Sequence, residues 1–410
     1  MAMPPSSPSS RRYFNIPPHS RLQLGIIADD LTGACDAGVQ FSQRGFSSVA
    51  LVDAFTPCRF MTALQILSTN SRNDSPSLAR FKVSEAGRLL ADEGRELIFK
   101  KIDSTLRGNL GAEITTAMGE RRLAIVAPAF PAMGRLIVEG WLHVRGTPAP
   151  QPIHLPTLLR RQTRIHIVHL SNRRVGRGSD FLFKRLEECT TRSRTLAVMD
   201  AASQQDLAAI ARAAAKLKPP PLLAGSAALA REVARILRAQ YRETEPFVPE
   251  EATWHRAQGS AVVIMGSTHF ASMAQCDYLV RQRPTTVVSL QPDGLRRARR
   301  AIKEGRHILV KIAPDELNQE LLPHLSQIVA ADAVRGIILS GGDTADLVMR
   351  SLRATGIILE REILPGIPWG RVMGGPADWK PVATKAGGFG RKGTLVAMVD
   401  YLCRIEHESA

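Results

Sequence analysis

With 410 residues, 44% hydrophobic and 22% charged, the chain has apolar content enough for two folded domains, which excludes disorder throughout. No apolar run approaches the roughly 18 residues that span a bilayer, and five cysteines without CxxC spacing support neither a disulfide framework nor a zinc ribbon, so the sequence predicts a cytoplasmic protein with no membrane partner. The 54 Lys and Arg against 38 Asp and Glu leave a formal charge of +16 that attracts phosphates, carboxylates and polyanions alike, while 5% aromatic content lacks the stacking residues of a single-strand binder and argues against nucleic acid.

Residues 1–20 are rich in Pro and Ser and lack the apolar core of a signal peptide, so they read as a disordered tail. Apolar runs at 22–28, 48–52, 66–69, 97–101 and 123–127 then predict strands, with amphipathic helical stretches such as 78–90 between them. Over 148–195 the pattern loosens into Pro-, Arg- and Ser-rich sequence. It resumes with a strand at 196–199, a helix over Gln204–Lys216 and a strand at 222–224. Residues 243–259, with Pro246, Pro249 and a local acidic cluster, have the composition of a linker. Beyond them, runs at 261–265, 286–290, 307–312, 336–339 and 382–385 predict strands, and 394–404 a closing helix. Strands alternating with helices imply right-handed crossovers. The expected fold is α/β in two domains, over 21–242 and 260–410, each with a largely parallel sheet flanked by helices.

In open parallel sheets, ligands bind beyond the carboxyl ends of strands, so polar clusters that follow apolar runs are the candidate sites. The first runs from Asp29 and Asp30 to Asp36: one carboxylate could accept a hydroxyl proton while the other caps the helix or helps hold a cation, or both could simply cap. The second is Asn70-Ser71-Arg72, where a guanidinium could clamp a carboxylate in bidentate fashion or be an ordinary surface arginine. The third packs Lys100, Lys101, Ile102, Asp103, Ser104, Thr105 and Arg107 into one strand-to-helix turn, a density of polar groups that suits a small anionic molecule. In the fourth, Gly341, Gly342, Asp343 and Thr344 open a helix after an apolar run, the outline of a phosphate cradle in which backbone N–H groups and the helix N-terminus meet the anion.

The fifth cluster spans 384–393, where Gly388, Gly390 and Gly393 spell GxGxxG. A dinucleotide fold would need a further strand and an acid about 20 residues on, for which the sequence to Ala410 leaves no room, so a glycine loop against nucleotide phosphates or base is the reading kept. No GxxxxGK[ST] or GxSxG occurs. His166 and His169, three apart in an alternating stretch, fall on opposite faces of a strand and are poor joint metal ligands.

The segments IIADDLTGACDAGVQF, KKIDSTLRGNLGAEI, APAFPAMGR, LSGGDTADLVMRSL, LPGIPWGRVMGG and TKAGGFG, in that order, resemble the four-carbon acid sugar kinase family from about Leu24 to Leu402. Each motif is modest alone and the ordered set is specific. The resemblance implies an ATP-dependent kinase, with Mg2+, acting on the terminal hydroxyl of threonate, erythronate or 3-oxo-tetronate. It implies an acid-sugar-binding domain over 21–242 and a nucleotide-binding domain over 260–410, which would close about the linker. Carried over by position, it assigns Asp29 or Asp30, Arg72 and the run Lys101, Ile102, Asp103 and Ser104 to the acid sugar, with Arg107 beside them. Ser267, Gly341, Gly342, Asp343, Thr344, Gly387 and Gly388 go to ATP, and no residue is assigned to the metal; apart from the resemblance, Ser267 would read as a helix cap. Two alternatives stay open: a related kinase of another small acid, and a non-catalytic, nucleic-acid-binding relative. The oligomeric state is open too, a homo-oligomer included.

Overall fold

The computed structural model describes residues 22–52, 58, 61–145, 152–190, 193–241, 259–289, 291–312 and 322–403. The expected tail lies outside the described residues, as does the expected linker apart from Gly259.

Among the described residues, fifteen strands form one sheet. From edge to edge it runs Thr285–Val288, His307–Lys311, Ser260–Met265, Val334–Ser340, Pro381–Lys385, Ile367–Met373, Gly356–Leu364, Ser48–Leu51, Leu64–Ser68, Leu24–Ala28, Glu96–Lys101, Leu222–Gly225, Leu123–Ala127, Thr195–Met199 and His166–Leu170. The five strands at one end and the eight at the other pair in parallel within their groups, as expected of an α/β chain. Their sequences are near-continuous Val, Ile, Leu and Ala, which is what burial on both faces demands.

The antiparallel pair Gly356–Leu364 and Ile367–Met373 joins the two groups, one strand bonding to Ser48–Leu51 and the other to Pro381–Lys385. Sequence periodicity assigns no element to 353–380, although Pro365-Gly366 between two apolar runs is a turn signal. The pair therefore makes the sheet continuous across both expected domains. Register shifts at Leu359/Arg361 and Glu362/Leu364 interrupt its ladder, and such bulges increase local twist.

The helix Leu31–Ser42 is buried from Leu31 to Phe41 because it packs on strands of its own half and also on Gly356–Leu364, Ile367–Met373 and the helix Gly342–Ser351. It carries the joint between the halves as well as the first polar cluster. The centre is more regular than its Arg- and Pro-rich sequence predicts. It holds a hairpin, Arg135–Val138 with Trp141–Val144, then the helices Leu155–Gln162 and Ser179–Thr190 on either side of His166–Leu170.

Candidate active site

Asp29 and Asp30 end the strand Leu24–Ala28, and both are buried. They have different partners. Asp30 is the N-cap of Leu31–Ser42: its Oδ1 accepts from the Gly33 N–H at 2.8 Å and its Oδ2 from Thr32 Oγ1 at 2.9 Å. Arg72 reaches both acids, donating from Nη1 to Asp30 Oδ2 at 2.6 Å and from Nε to Asp29 Oδ2 at 2.8 Å. Both Asp30 oxygens are thereby engaged. Oδ1 of Asp29 is buried and has no hydrogen-bond partner among the described residues. Burial acts to raise the Asp29 pKa, but Arg72, Lys100 and Lys101 outweigh it and hold the carboxyl below its usual range. Desolvation likewise opposes the charge on Arg72, and Asp29, Asp30 and Asp103 overcome it. The expected clamp thus spends two donors on the aspartates, leaving Nη2 as the guanidinium end without a hydrogen bond among the described residues.

The strand Glu96–Lys101 delivers two buried lysines with different fates. Lys100 Nζ pairs with Glu113 at 2.7 Å beneath the site, and Glu113 also accepts from Ser71 Oγ at 2.9 Å. Lys101 Nζ donates to the Ile102 carbonyl at 3.0 Å and, among the described residues, has no carboxylate within ion-pair range. It lies over the first turn of Leu31–Ser42, where a Cβ on Gly33 would stand 3.0 Å from it. Ile102 turns its side chain into the core. Asp103 is held ionised: burial would raise its pKa, but Arg72, Arg107 and bonds from Thr105 lower it strongly. Arg107, mostly exposed, donates to Asp103 from Nε at 2.5 Å. Ser104 Oγ accepts from Nη1 of Arg135 at 2.7 Å.

On the other side of the seam, Gly341 takes φ +110° to turn from strand into helix, a conformation that favours glycine. No side chain caps the helix that follows, so its N-terminal N–H groups remain open to an anion. Gly341 donates its own N–H to the Lys385 carbonyl at 2.9 Å, which ties the diglycine turn to the last glycine loop. A methyl on Gly387 would collide with Ser267 Oγ, and one on Gly266 with Thr344 Oγ1, so the three expected nucleotide clusters are in contact. Ser267 is not the helix cap. His269 is: its ring Nδ1 accepts from the Ala271 N–H at 3.2 Å, while Ser267 Oγ accepts from the His269 N–H at 3.3 Å.

The two sides touch. A methyl on Gly342 would collide with Oδ2 of Asp30, Asn70 Nδ2 donates to Asp346 Oδ2 at 3.0 Å, and Asn73 Nδ2 donates to Asp343 at 3.2 Å. Three residues without an expected role join the seam. Asp36 is buried with Oδ1 unpartnered among the described residues, and burial pushes its pKa up to about 7 against the pull of Lys101. Lys385, fully buried, is caged by Ser272 Oγ and the carbonyls of Ala386, Gly387 and Phe389 at 3.2–3.3 Å, and burial brings its pKa down to about 8. Arg135 begins the hairpin. Asp36 and Lys385 sit inside sequence clusters, but only burial distinguishes them from surface charges. Arg135 lies eight residues beyond the strand Leu123–Ala127 and outside the polar clusters, and its sequence signal is that it closes the motif APAFPAMGR.

Among the described residues no group of three or more His, Cys, Asp or Glu could hold a metal ion. Mg2+ arriving on a nucleotide needs no such cluster, since it keeps much of its water and takes one or two carboxylates beside the phosphates. Asp343, in the first turn after the diglycine turn, is a carboxylate in place for it.

A family model described as a sugar-binding N-terminal domain matches residues 24–233, and one described as a nucleotide-binding C-terminal domain matches 287–395. The D-threonate kinase of Salmonella typhimurium is 30% identical, over 93% of this chain and 98% of its own length. The D-erythronate kinase of Heliobacterium modesticaldum is 28% identical over 92% and 96%. The crystal structure of a Haemophilus influenzae protein shares the fold, with a TM-score of 0.68 at 21% identity over 93% of this chain and 100% of that one. With the sugar-binding model alone spanning over half of its length, the chain belongs to the four-carbon acid sugar kinase family.

Proposed function

We propose that the protein transfers the γ-phosphoryl group of ATP to the terminal hydroxyl of a four-carbon acid sugar: threonate, erythronate or 3-oxo-tetronate. The observation that carries this reading is the pairing of a buried cation without a carboxylate partner, Lys101, with an uncapped helix N-terminus at Gly341 and Gly342, across a seam that contains the aspartate pair. A buried unpaired ammonium is costly unless an anion completes it. The substrate carboxylate completes Lys101, with Nη2 of Arg72 as a second donor.

Anchored at that end, the acid sugar directs its far hydroxyl toward the diglycine turn, and fixed orientation lowers the entropic barrier to reaction. Asp29 Oδ1 receives the hydroxyl proton, because both Asp30 oxygens already accept hydrogen bonds. A carboxylate with a lowered pKa is a weak base, which suffices: phosphoryl transfer passes through a loose transition state with little early demand on the nucleophile. Asp30 holds Arg72 and the helix start in place. The free N–H groups of the helix turn opened by Gly342 meet the nucleotide phosphates, while Lys385 holds the glycine loop beside them through its cage of carbonyls. Magnesium, held by Asp343 and by the phosphates themselves, would supply neutralisation of phosphate charge. Contact of the two halves across the seam excludes water and limits ATP hydrolysis.

The test is a coupled ADP-release screen over tetronates and their oxidised forms, with ATP and Mg2+. ADP release that depends on one of these acids supports the reading. Release at the same rate without any acid, or none with every acid in the panel, would sink it.

A further inference from the structure

We propose that Arg135 is a catalytic residue of the phosphoryl transfer, its guanidinium contacting the phosphoryl group as it passes from nucleotide to sugar; this rests on the kinase reading above. Arg135 touches both sides of the seam. Its Nη1 donates to Ser104 Oγ at 2.7 Å on the sugar side. Its guanidinium carbon stands 4.5 Å from the centre of the Phe389 ring, and a Cβ on Gly388 would lie 3.4 Å from its Nη2, both in the glycine loop of the nucleotide side. It is only 8% exposed, and no carboxylate lies within ion-pair range of it among the described residues. Nε and Nη2 make no hydrogen bond among those residues either, so two donors of the fork are unspent.

The surrounding charges point the same way. Burial opposes the charge on Arg135, Asp103 and Asp36 support it from a distance, and Arg107 and Arg72 oppose it. Asp103 and the aspartate pair are already matched to Arg107 and Arg72 by direct bonds. Among the described residues, Arg135, Lys101 and Lys385 are cations at the seam with no carboxylate in ion-pair range. Lys101 sits by the first turn of Leu31–Ser42, where the substrate carboxylate is held, and Lys385 is caged by loop carbonyls. Arg135 spans from Ser104 to the glycine loop, which is where a group in transit between the halves must pass. A planar fork with two free donors matches two oxygens of a phosphoryl group, and a cation held in a low-dielectric site acts most strongly on charge in the transition state.

In the step itself, the bond from the γ-phosphorus to its bridging oxygen breaks and its electron pair leaves on ADP. The sugar oxygen forms the new bond to phosphorus, and its proton goes to Asp29. Arg135 forms no covalent bond and remains protonated.

Arg135→Lys and Arg135→Ala, each in the full-length protein, test this. Arg135→Lys is expected to lower kcat about 10²–10³-fold, with the KM for acid and for ATP changing by less than about threefold. Added guanidinium ion is expected to restore part of the Arg135→Ala rate and to leave wild type unchanged. Binding gives a readout independent of turnover. ADP with Mg2+ should bind both proteins equally, and adding aluminium fluoride, a mimic of the group in flight, should tighten ADP on wild type by at least about tenfold and fail to do so on Arg135→Lys. An active wild type beside an Arg135→Lys of equal kcat, or one tightened equally by aluminium fluoride, overturns the assignment of Arg135 alone. A wild type that phosphorylates no acid overturns the kinase reading and this proposal with it.

Discussion

Replacing Asp29 by asparagine removes a negative charge without removing volume. Arg72 keeps its bond to Asp30 through Nη1, so the guanidinium is not stranded and the full cost of about 3–5 kcal/mol for breaking a buried pair does not apply. What is lost is one charge-assisted bond from Nε, about 1.5–3 kcal/mol of stability. The catalytic loss is larger. An amide oxygen cannot take the hydroxyl proton, and a positioned base contributes about 10²–10⁴-fold in rate, which is about 3–5 kcal/mol of activation free energy. Asp30→Asn is the control. Asparagine caps a helix as well as aspartate does, so the bond from the Gly33 N–H persists and kcat should fall by no more than about tenfold. Steady-state ADP release at saturating acid and ATP, alongside urea unfolding of each variant, separates the two effects. Equal losses of kcat in both variants, or an Asp29→Asn protein retaining more than about a tenth of the wild-type rate, would refute the assignment of the base to Asp29.

Lys101→Met keeps the stem and loses the charge, so the KM for the acid should rise about 10–100-fold while the KM for ATP stays put, read from initial rates. Gly342→Ala sets a methyl against Asp30 Oδ2, an overpacking of about 1–3 kcal/mol that should weaken ADP binding by about tenfold or more in calorimetry. Asp36→Asn tests a stability linkage. The folded state holds that carboxyl at about 7 against about 4 unfolded, so wild type binds the extra proton and loses stability as pH rises between those values. The variant should therefore unfold at higher urea than wild type at pH 8, by at most about 4 kcal/mol, with the difference vanishing toward pH 4. A difference that grows toward pH 4 would reverse the sign.

Local chemistry made the parallel strands legible, because a strand buried on both faces, such as Leu123–Ala127 or Ser260–Met265, must be written as an unbroken apolar run. It also located the aspartate pair, the turn after Lys101 and the diglycine turn, since polar residues directly beyond such runs sit at strand ends. The antiparallel pair Gly356–Leu364 and Ile367–Met373 escaped it: its residues alternate less cleanly, and its partners, Ser48–Leu51 and Pro381–Lys385, are set by long-range pairing. The Arg-rich centre escaped it for a related reason. Its strands Arg135–Val138, Trp141–Val144 and His166–Leu170 are four or five residues long and only partly buried, so none is written as an unbroken apolar run.

Local patterning along the chain suffices for the α/β class, the motif order that carries the family, and the polar clusters from which a site could be built. Which carboxylate oxygen is free among the described residues, the lack of acidic partners for Lys101 and Arg135 among them, and the meeting of Asp30 with Gly342 all come from folding. Those properties depend on groups such as Arg72 and Asp29, 43 residues apart, or on contact between opposite halves of the chain. A pattern of neighbours along the backbone encodes which element forms, whereas charge balance is a sum over everything within a few ångströms in space.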